Sequence, residues 1–390
     1  MFNSQRHKAL LCLKGIVVRI WPIPNPNCYR LLPHDPSPFS QKYSTNTFAN
    51  RSFRVSYLID NFGFSPEAAL TACKVARFKS LEKPDSVLSF LRNRGFSDSQ
   101  INVIIRKEPW LLSCDPDKRL MPKFEFLHSK GVSSSDIVRM VNRSPRFLQK
   151  SLENQIIPSY ELLETFLQSD EEIIACIKYH PSLLYQNVMP TNVQILVDNG
   201  VVGLNVTRLL RRWPKILLES DLDKTVKELK DLGFNPSKVV FVLALLAKRS
   251  VSKSQWDSKV DSFKRWGWSE EAVLQAFKNH PGCMLVSKDK IDAVMRFWVN
   301  QLGWESLMLV RKPEILAYSL AKKIIPRASV LQHLLLKGLI NQNGLLSPFG
   351  PAENLFLQKY VMRFEKERSK LLEVYEEKKK LSNNRENSGV

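Results

Sequence analysis

The sequence predicts an all-α protein, a superhelical solenoid of about eight to nine helical repeats with a period near 34 residues. Three observations predict it. Prolines recur at 109, 145, 181, 214, 281 and 313, with gaps of 36, 36, 33, 67 and 32 residues, the longest being two periods with one proline missing. Each is followed at its second and third positions by an apolar pair: Leu111/Leu112, Phe147/Leu148, Leu183/Leu184, Ile216/Leu217, Cys283/Met284 and Ile315/Leu316. Glycines at 63, 95, 131, 200, 233, 267, 303 and 338 keep the same period, separated by 32, 36, 69, 33, 34, 36 and 35. The two markers are also in phase, since in four repeats the proline lies 14 residues after the glycine.

Each part of the repeat has a physical reason, shown best by residues 200–219, GVVGLNVTRLLRRWPKILLE. Val206, Leu209, Leu210 and Trp213 recur at intervals of three and four residues and make one buried stripe on a helix. Pro214 ends that helix, because it has no N–H to donate and pushes Trp213 out of the α region. Glycine suits the left-handed position that closes the preceding helix, and Ser65, Ser97, Ser133, Asn235 and Ser269 then cap the next one. Ser97 and Gln100 have capping-box spacing. Between a proline and the next glycine there is room for one more helix, such as residues 122–130 or 222–232. A single unit cannot cover its own apolar stripe, so the units must stack. Two places depart from the pattern: the expected glycine is absent near residues 166–172, and Ala247 stands where the fifth unit should have its proline.

The repeats are expected over residues 55–345, followed by a C-terminal capping segment, 346–381, and a disordered tail, 382–390. Residues 346–351 include Ser347-Pro348-Phe349-Gly350-Pro351, and the capping helix is expected from about 353. Residues 1–45 are of another kind: basic, rich in Ser, Asn and Pro, with an apolar stretch at 10–21 broken by Lys14 and Arg19. Those charges spoil a secretory signal and suit an organelle transit peptide, with processing near Lys42-Tyr43-Ser44-Thr45. The competing reading is a basic arm that stays on the protein.

The net charge of the 390 residues is +20. The first 59 residues hold eight Lys/Arg against one acid, Asp35, which leaves about +13 for the remainder. A basic surplus on the folded part implies a polyanionic partner. The six cysteines (12, 28, 73, 114, 176 and 283) are scattered singly, which fits buried small hydrophobes in a reducing compartment and not a disulfide framework or zinc site. The longest apolar run, residues 239–247, is too short for a membrane span, which needs about 20 residues. There is no P-loop, HExxH, GxSxG or Rossmann fingerprint, so neither catalysis nor a cofactor is expected.

In all six proline-bearing units, one of the residues three and two places before the proline is basic: Arg106/Lys107, Arg143, Lys178, Arg211/Arg212, Lys278 and Arg311. Stacking turns these into a ladder of positive charge spaced to follow a phosphate backbone. The competing explanation is that a cation in a last helical turn offsets the macrodipole by about 0.3–1 kcal/mol. Further charge beyond what capping needs comes from Arg139, Arg146 and Lys150, from Arg208 and Lys215, from Lys248, Arg249 and Lys253, and from Lys312, Lys322, Lys323 and Arg327. Trp110, Tyr179, Trp213, Trp266, Trp268 and Trp304 are expected to pack in the core. His180 and His280 precede Pro181 and Pro281 at equivalent repeat positions and are not expected to be metal ligands.

The proline with its apolar pair, the Gly-apolar-Ser/Asn cap, the period and the basic presequence together resemble the mitochondrial transcription termination factor (mTERF) family. The likeness to its plant branch is close in SYLIDNFGFSPEAAL, residues 56–70, and VLSFLRNRGFSDSQI, residues 87–101, and it covers roughly residues 55–365. The resemblance implies a superhelix whose basic groove holds organellar DNA or RNA, acting in transcription, its termination, or transcript processing and intron splicing. Organelle transcription or splicing proteins are the further partners it implies, and a monomer is expected. The residues expected to contact nucleic acid are Arg139, Arg143, Arg146, Lys178, Arg208, Arg211, Arg212, Lys215, Lys248, Arg249, Lys278, Arg311 and Lys312. The alternative is an organellar adaptor that binds protein through its helical repeats. The expected address is the mitochondrion, with the chloroplast as the alternative. Residues 1–45 fused to a fluorescent reporter should carry it to mitochondria, and their deletion should leave the protein in the cytosol; a cytosolic or secreted reporter overturns the transit reading.

Overall fold

A computed structural model describes the backbone of residues 9–13, 16–20 and 45–387, and the side chains from 53 to 380. Ahead of residue 45 it gives one antiparallel pair, Ala9–Leu13 with Ile16–Ile20, in which Leu13 faces Ile16. The transit-peptide expectation otherwise lies outside the described residues, as do the last three residues of the expected tail. From Thr45 onward every regular element described is helical. The chain divides into two compact units, Met1–Asp198 with Val206–Ser220, and Asn199–Asn205 with Asp221–Val390.

Both units are built from the expected repeat. All eight repeat glycines, and no other glycine described, have left-handed backbone, with φ between 64° and 90°. The chain then closes the helix in a Schellman arrangement. The Phe96 N–H donates to the Leu91 carbonyl at 3.2 Å, Val132 to Leu127 at 3.0 Å, Phe234 to Leu229 at 3.0 Å and Leu339 to Leu334 at 2.9 Å. The apolar residue after the glycine is buried at Phe96, Val132, Phe234 and Trp268, which anchors the turn. Ser65, Ser97, Ser133 and Ser269 cap the following helices by accepting a backbone N–H three residues on, and the Ser97/Gln100 capping box is complete. Asn235 departs from this. Its side chain accepts from the Ser237 N–H at 2.9 Å and closes a local turn, and the helix starts only at Val239.

Every repeat proline opens a short 3₁₀ turn: Pro109–Ser113, Pro145–Gln149, Pro181–Leu184, Pro214–Leu218, Pro281–Leu285 and Pro313–Ala317. The residue before each is forced to extended φ, from −131° at His180 to −152° at His280. All six apolar pairs are buried, none of their twelve members being more than 3% exposed. At roughly 1.5–3 kcal/mol per fully buried large side chain, these tucks are a principal source of cohesion between repeats. A further marker follows six residues after the proline, where Asp115, Ser151, Ser287 and Ser319 cap the next helix.

The two irregular places show what the markers do. Without a proline at 247, the helix Val239–Ser250 continues past that position and no 3₁₀ turn forms. Without a glycine near 166, the chain leaves the helix Ile157–Glu164 with no left-handed residue. The Phe166 carbonyl instead accepts from the buried Thr207 hydroxyl at 2.8 Å. Pro158 and Pro326, each a full turn or more into its tuck-to-glycine helix, are absorbed by the π turns Leu152–Ile156 and Leu320–Ile324 ahead of them, because a proline ring leaves a carbonyl of the preceding turn without its usual donor.

At the C-terminus the single helix expected from about 353 to 381 is divided into Glu353–Leu357, Gln358–Met362 and Arg368–Asn387. The last of these runs on into the segment expected as a tail. Phe356, Val361, Leu371 and Tyr375 pack on Val330 and Leu334. Arg327, expected among the surplus charge, is 2% exposed. Its Nη1 donates to the Pro348 and Phe349 carbonyls at 2.7 and 3.2 Å, and its guanidinium lies 4.6 Å from the Phe356 ring. It is therefore a structural cation of the C-terminal cap. Cys73, Cys114, Cys176 and Cys283 are buried cysteines outside any disulfide, as the sequence implies, whereas the side chains of Cys12 and Cys28 lie outside the described residues. No helix described is long and apolar enough to cross a membrane.

Substitutions at the tuck and at the glycine turn should separate these two roles. Leu183→Asp or Ile216→Asp places an unpaired charge in a sealed tuck and should cost several kcal/mol, melting the neighbouring repeats in a thermal circular-dichroism scan. Gly95→Ala, where φ is +90° and nothing lies within 4 Å of the new Cβ, should cost about 1–2 kcal/mol from backbone strain alone, while Gly344→Ala, also in open space but without positive φ, should be near neutral.

Candidate nucleic-acid interface

Within the first unit the tucks Pro145–Gln149, Pro181–Leu184 and Pro214–Leu218 pack side by side, so the last helical turns before them share one edge. Those turns end the helices Ser134–Arg143, Asp170–Ile177 and Gly203–Arg212. The residue two places before the proline is Arg143, Tyr179 and Arg212 in turn, and all three are exposed. The residue just after the proline, Arg146, Ser182 or Lys215, flanks the same edge, with Arg146 and Lys215 exposed.

Tyr179 is the centre of the cluster. The sequence pattern predicts it in the core, yet it is 49% exposed. The Arg143 guanidinium lies 5.8 Å from its ring and the Lys178 ammonium 5.3 Å from the same ring. Arg143 Nη1 also donates to the Tyr179 carbonyl at 2.8 Å, which ties one repeat to the open helix end of the next. Beside them a cleft of about 280 Å³ is lined by Glu172, Cys176, Tyr179, His180, Arg211 and Arg212 among others. His180 is pushed below the usual histidine range by its partial burial, and then by the positive charges of Arg143 and Lys215. Cations from the repeats on either side thus converge on one imidazole.

The predicted basic residues divide into tied and open ones. Arg211 holds Glu172 bidentately, Nη2 donating at 2.7 and 2.8 Å and Nε at 3.2 Å. Arg139 pairs with Asp136 at 2.9 Å, and Arg146 stands 3.9 Å from Glu108. Arg208 is exposed on the same helix as Arg211 and engages a partner of its own. Arg212 and Lys215 make no ion pair or side-chain hydrogen bond among the described residues. In the second unit, Lys248 lies 5.0 Å from the Trp256 ring and 3.9 Å from Glu228, and Arg249 donates to Thr225 at 3.5 Å, so both are packed against neighbouring side chains. Lys278 is exposed on the rim of an apolar cleft with Phe234 and Val239, and Arg311 is exposed with Lys312 half-buried beside it. Within the first unit the structure thus gathers Arg143, Lys178, Arg212 and Lys215 into one site.

Of the other aromatics, Trp268 and Trp304 are buried as expected, whereas Trp110, Trp213 and Trp266 are only half-buried. Trp110 donates to Glu108 at 2.8 Å and Trp266 to Asp292 at 2.9 Å. A signal for Tyr179 was present in the sequence: the other occupants of its register position are Lys107, Arg143, Arg212, Asn279 and Arg311, all polar. Trp110 likewise shares its position with Arg146, Lys215 and Glu314. Glu172 could not be found that way, because its pairing depends on how two repeats meet. Among the described residues no group of three or more His, Cys, Asp or Glu side chains comes together as a metal site.

The mTERF family model matches residues 88–202 and again 183–349, together more than half of the chain. The chain belongs to the mTERF family. Transcription termination factor MTERF15, mitochondrial, from Arabidopsis thaliana is 28% identical over 107 residues, which is 27% of this chain and 24% of that protein. The match therefore spans about a quarter of the relative's length. The mTERF family is one of organellar nucleic-acid-binding helical-repeat proteins without a catalytic role. Arg143, Lys178 and Tyr179 lie inside the first matched segment, and Arg212 and Lys215 inside the second.

The histidine offers a test of the cation cluster. Its lowered pKa means that the folded chain favours neutral imidazole, so this contribution to stability is complete above about pH 6.5 and is lost as the pH falls through the folded pKa. Arg143→Gln or Lys215→Gln removes one of the repelling charges and should raise the His180 pKa toward its ordinary value, followed by the ring-proton shifts in an NMR titration. An unmoved pKa in both variants would mean that these cations do not face the imidazole.

Proposed function

We propose that this mTERF protein binds organellar DNA or RNA along the proline edge of its first unit and regulates organelle gene expression, through transcription, its termination, or transcript processing. The observation that carries the reading is the convergence of Arg143, Lys178, Arg212 and Lys215 around an exposed tyrosine on successive repeats. Mutual repulsion makes such a cluster costly to the free protein, and a chain of phosphates neutralises it. Cations on successive repeats match a ligand that presents charge at regular intervals, and an exposed aromatic among them offers a face to a base. The reading is of a binding protein, acting as a monomer without catalysis or cofactor of its own, with organelle transcription or splicing proteins as further partners. Its address is proposed as the mitochondrion, supported by the basic N-terminal segment and by the mitochondrial designation of the Arabidopsis relative.

Replacing Arg143, Arg212 and Lys215 together with Gln tests the site, since Gln at 143 keeps an N–H for the Tyr179 carbonyl. Helicity and melting temperature should hold while binding weakens. The slope of log affinity against log salt should flatten by roughly 0.7–0.9 for each phosphate the variant no longer neutralises. Unchanged affinity and slope for both single-stranded RNA and duplex DNA would show that these residues face solvent or protein, and the adaptor reading would take over.

A further inference from the structure

Resting on that reading, we infer that Glu172 is a built-in competitor of the phosphate backbone: its carboxylate occupies the guanidinium fork of Arg211 and holds down the affinity of the basic edge. The geometry is that of a carboxylate standing where a phosphate would stand. Arg211 presents Nη2 and Nε to the two Glu172 oxygens at 2.7 to 3.2 Å. The Nε–Nη2 edge serves one carboxylate or one phosphate bidentately, and not both, so with Glu172 in place only the outer Nη1 side of Arg211 is left for an anion. Glu172 also lines the cleft that holds Tyr179, His180 and Arg212, so its charge repels any phosphate drawn to the neighbouring cations.

The pair is poorly explained as a brace. Both side chains are partly exposed, 44% for Arg211 and 35% for Glu172, so solvent screens the pair and keeps its contribution to folding modest even with bidentate geometry. The structural duties of Glu172 do not need its charge. It is the third residue of the helix Asp170–Ile177, whose N-cap Ser169 accepts the Glu172 N–H, and its Oε2 accepts the Gln168 N–H at 3.4 Å. A glutamine at that place keeps an acceptor for the same N–H, and Gln suits this position of a capped helix as well as Glu does. Asp170 and Glu171 remain to complement the helix dipole. What Glu172 does that Gln could not is hold Arg211 away from an anion.

Glu172→Gln, Arg211→Gln and the double variant of the full chain should be measured against a single-stranded RNA and a duplex DNA over a range of salt. The expected result for Glu172→Gln is binding tighter by about threefold or more near physiological salt, with the log–log salt slope steeper by roughly 0.7–0.9, as the freed Arg211 neutralises one more phosphate. In the Arg211→Gln background the same substitution should give only the smaller gain that comes from removing a repelling charge, and the slope should stay as in Arg211→Gln alone. Glu172→Gln that binds no tighter, or that lowers the melting temperature and weakens binding, would show that Glu172 is a brace and overturn the inference. Wild-type protein that binds neither nucleic acid would overturn the proposed function itself, so the two failures are distinguishable.

Discussion

A missing N–H organises this protein. Each repeat proline cannot donate to the helix behind it, so the helix stops and the residue ahead of the proline turns to extended backbone. The chain then dips for one 3₁₀ turn and drives two apolar side chains into the space beneath. Breaking the helix leaves its last carbonyls without partners, and the next step of the structure answers that need. Arg143 reaches the Tyr179 carbonyl, Asn279 the Val310 carbonyl at 2.7 Å, and the Cys176 thiol the Leu210 carbonyl at 3.2 Å. Each tie joins one repeat to the helix end of the following one, so the stop signal within a repeat becomes a link between repeats.

The same geometry explains why the charge lies where it does. A helix end that closes on carbonyl oxygens attracts cations, and the proline edge of the first unit gathers three such ends side by side. Some of the cations already have a partner within the protein: Arg143 a carbonyl, Arg211 the carboxylate of Glu172, Arg146 the nearby Glu108. Arg212 and Lys215 remain turned to solvent beside an exposed tyrosine. Cations that close helix ends and cations left open to solvent are therefore drawn from one set of residues, and only their partners separate them. Arg327 is the limiting case, a cation that is wholly internal and bound to two carbonyls.

The departures from the repeat are as regular as the repeat itself. Where proline is absent at 247 the helix keeps going, because nothing removes its donor. Where glycine is absent near 166 the turn closes without left-handed backbone, and a buried threonine of a later repeat takes the stranded carbonyl. Asp221 adopts φ 59° without being a glycine, at the start of the helix Leu222–Asp231, a conformation that aspartate tolerates better than most residues do.

What the sequence determined by itself was local chemistry repeated at a fixed spacing: the proline stops, the left-handed glycines, the serine caps and the buried pair. Each depends on one residue type and its near neighbours, so each is legible at Gly95, Ser97, Pro109 and Leu111 without any knowledge of the fold. The exposure of Tyr179 was also legible, from the polar company at its register position, although its aromatic character argued for the core. Sequence alone could not tell which cations are spoken for. Arg211 and Arg212 are neighbours of the same type in the same helical turn, yet one meets a carboxylate 39 residues away and the other meets none among the described residues. That difference arises only when two repeats are pressed together, because a side chain's partner across an interface is set by packing distance and not by spacing along the chain.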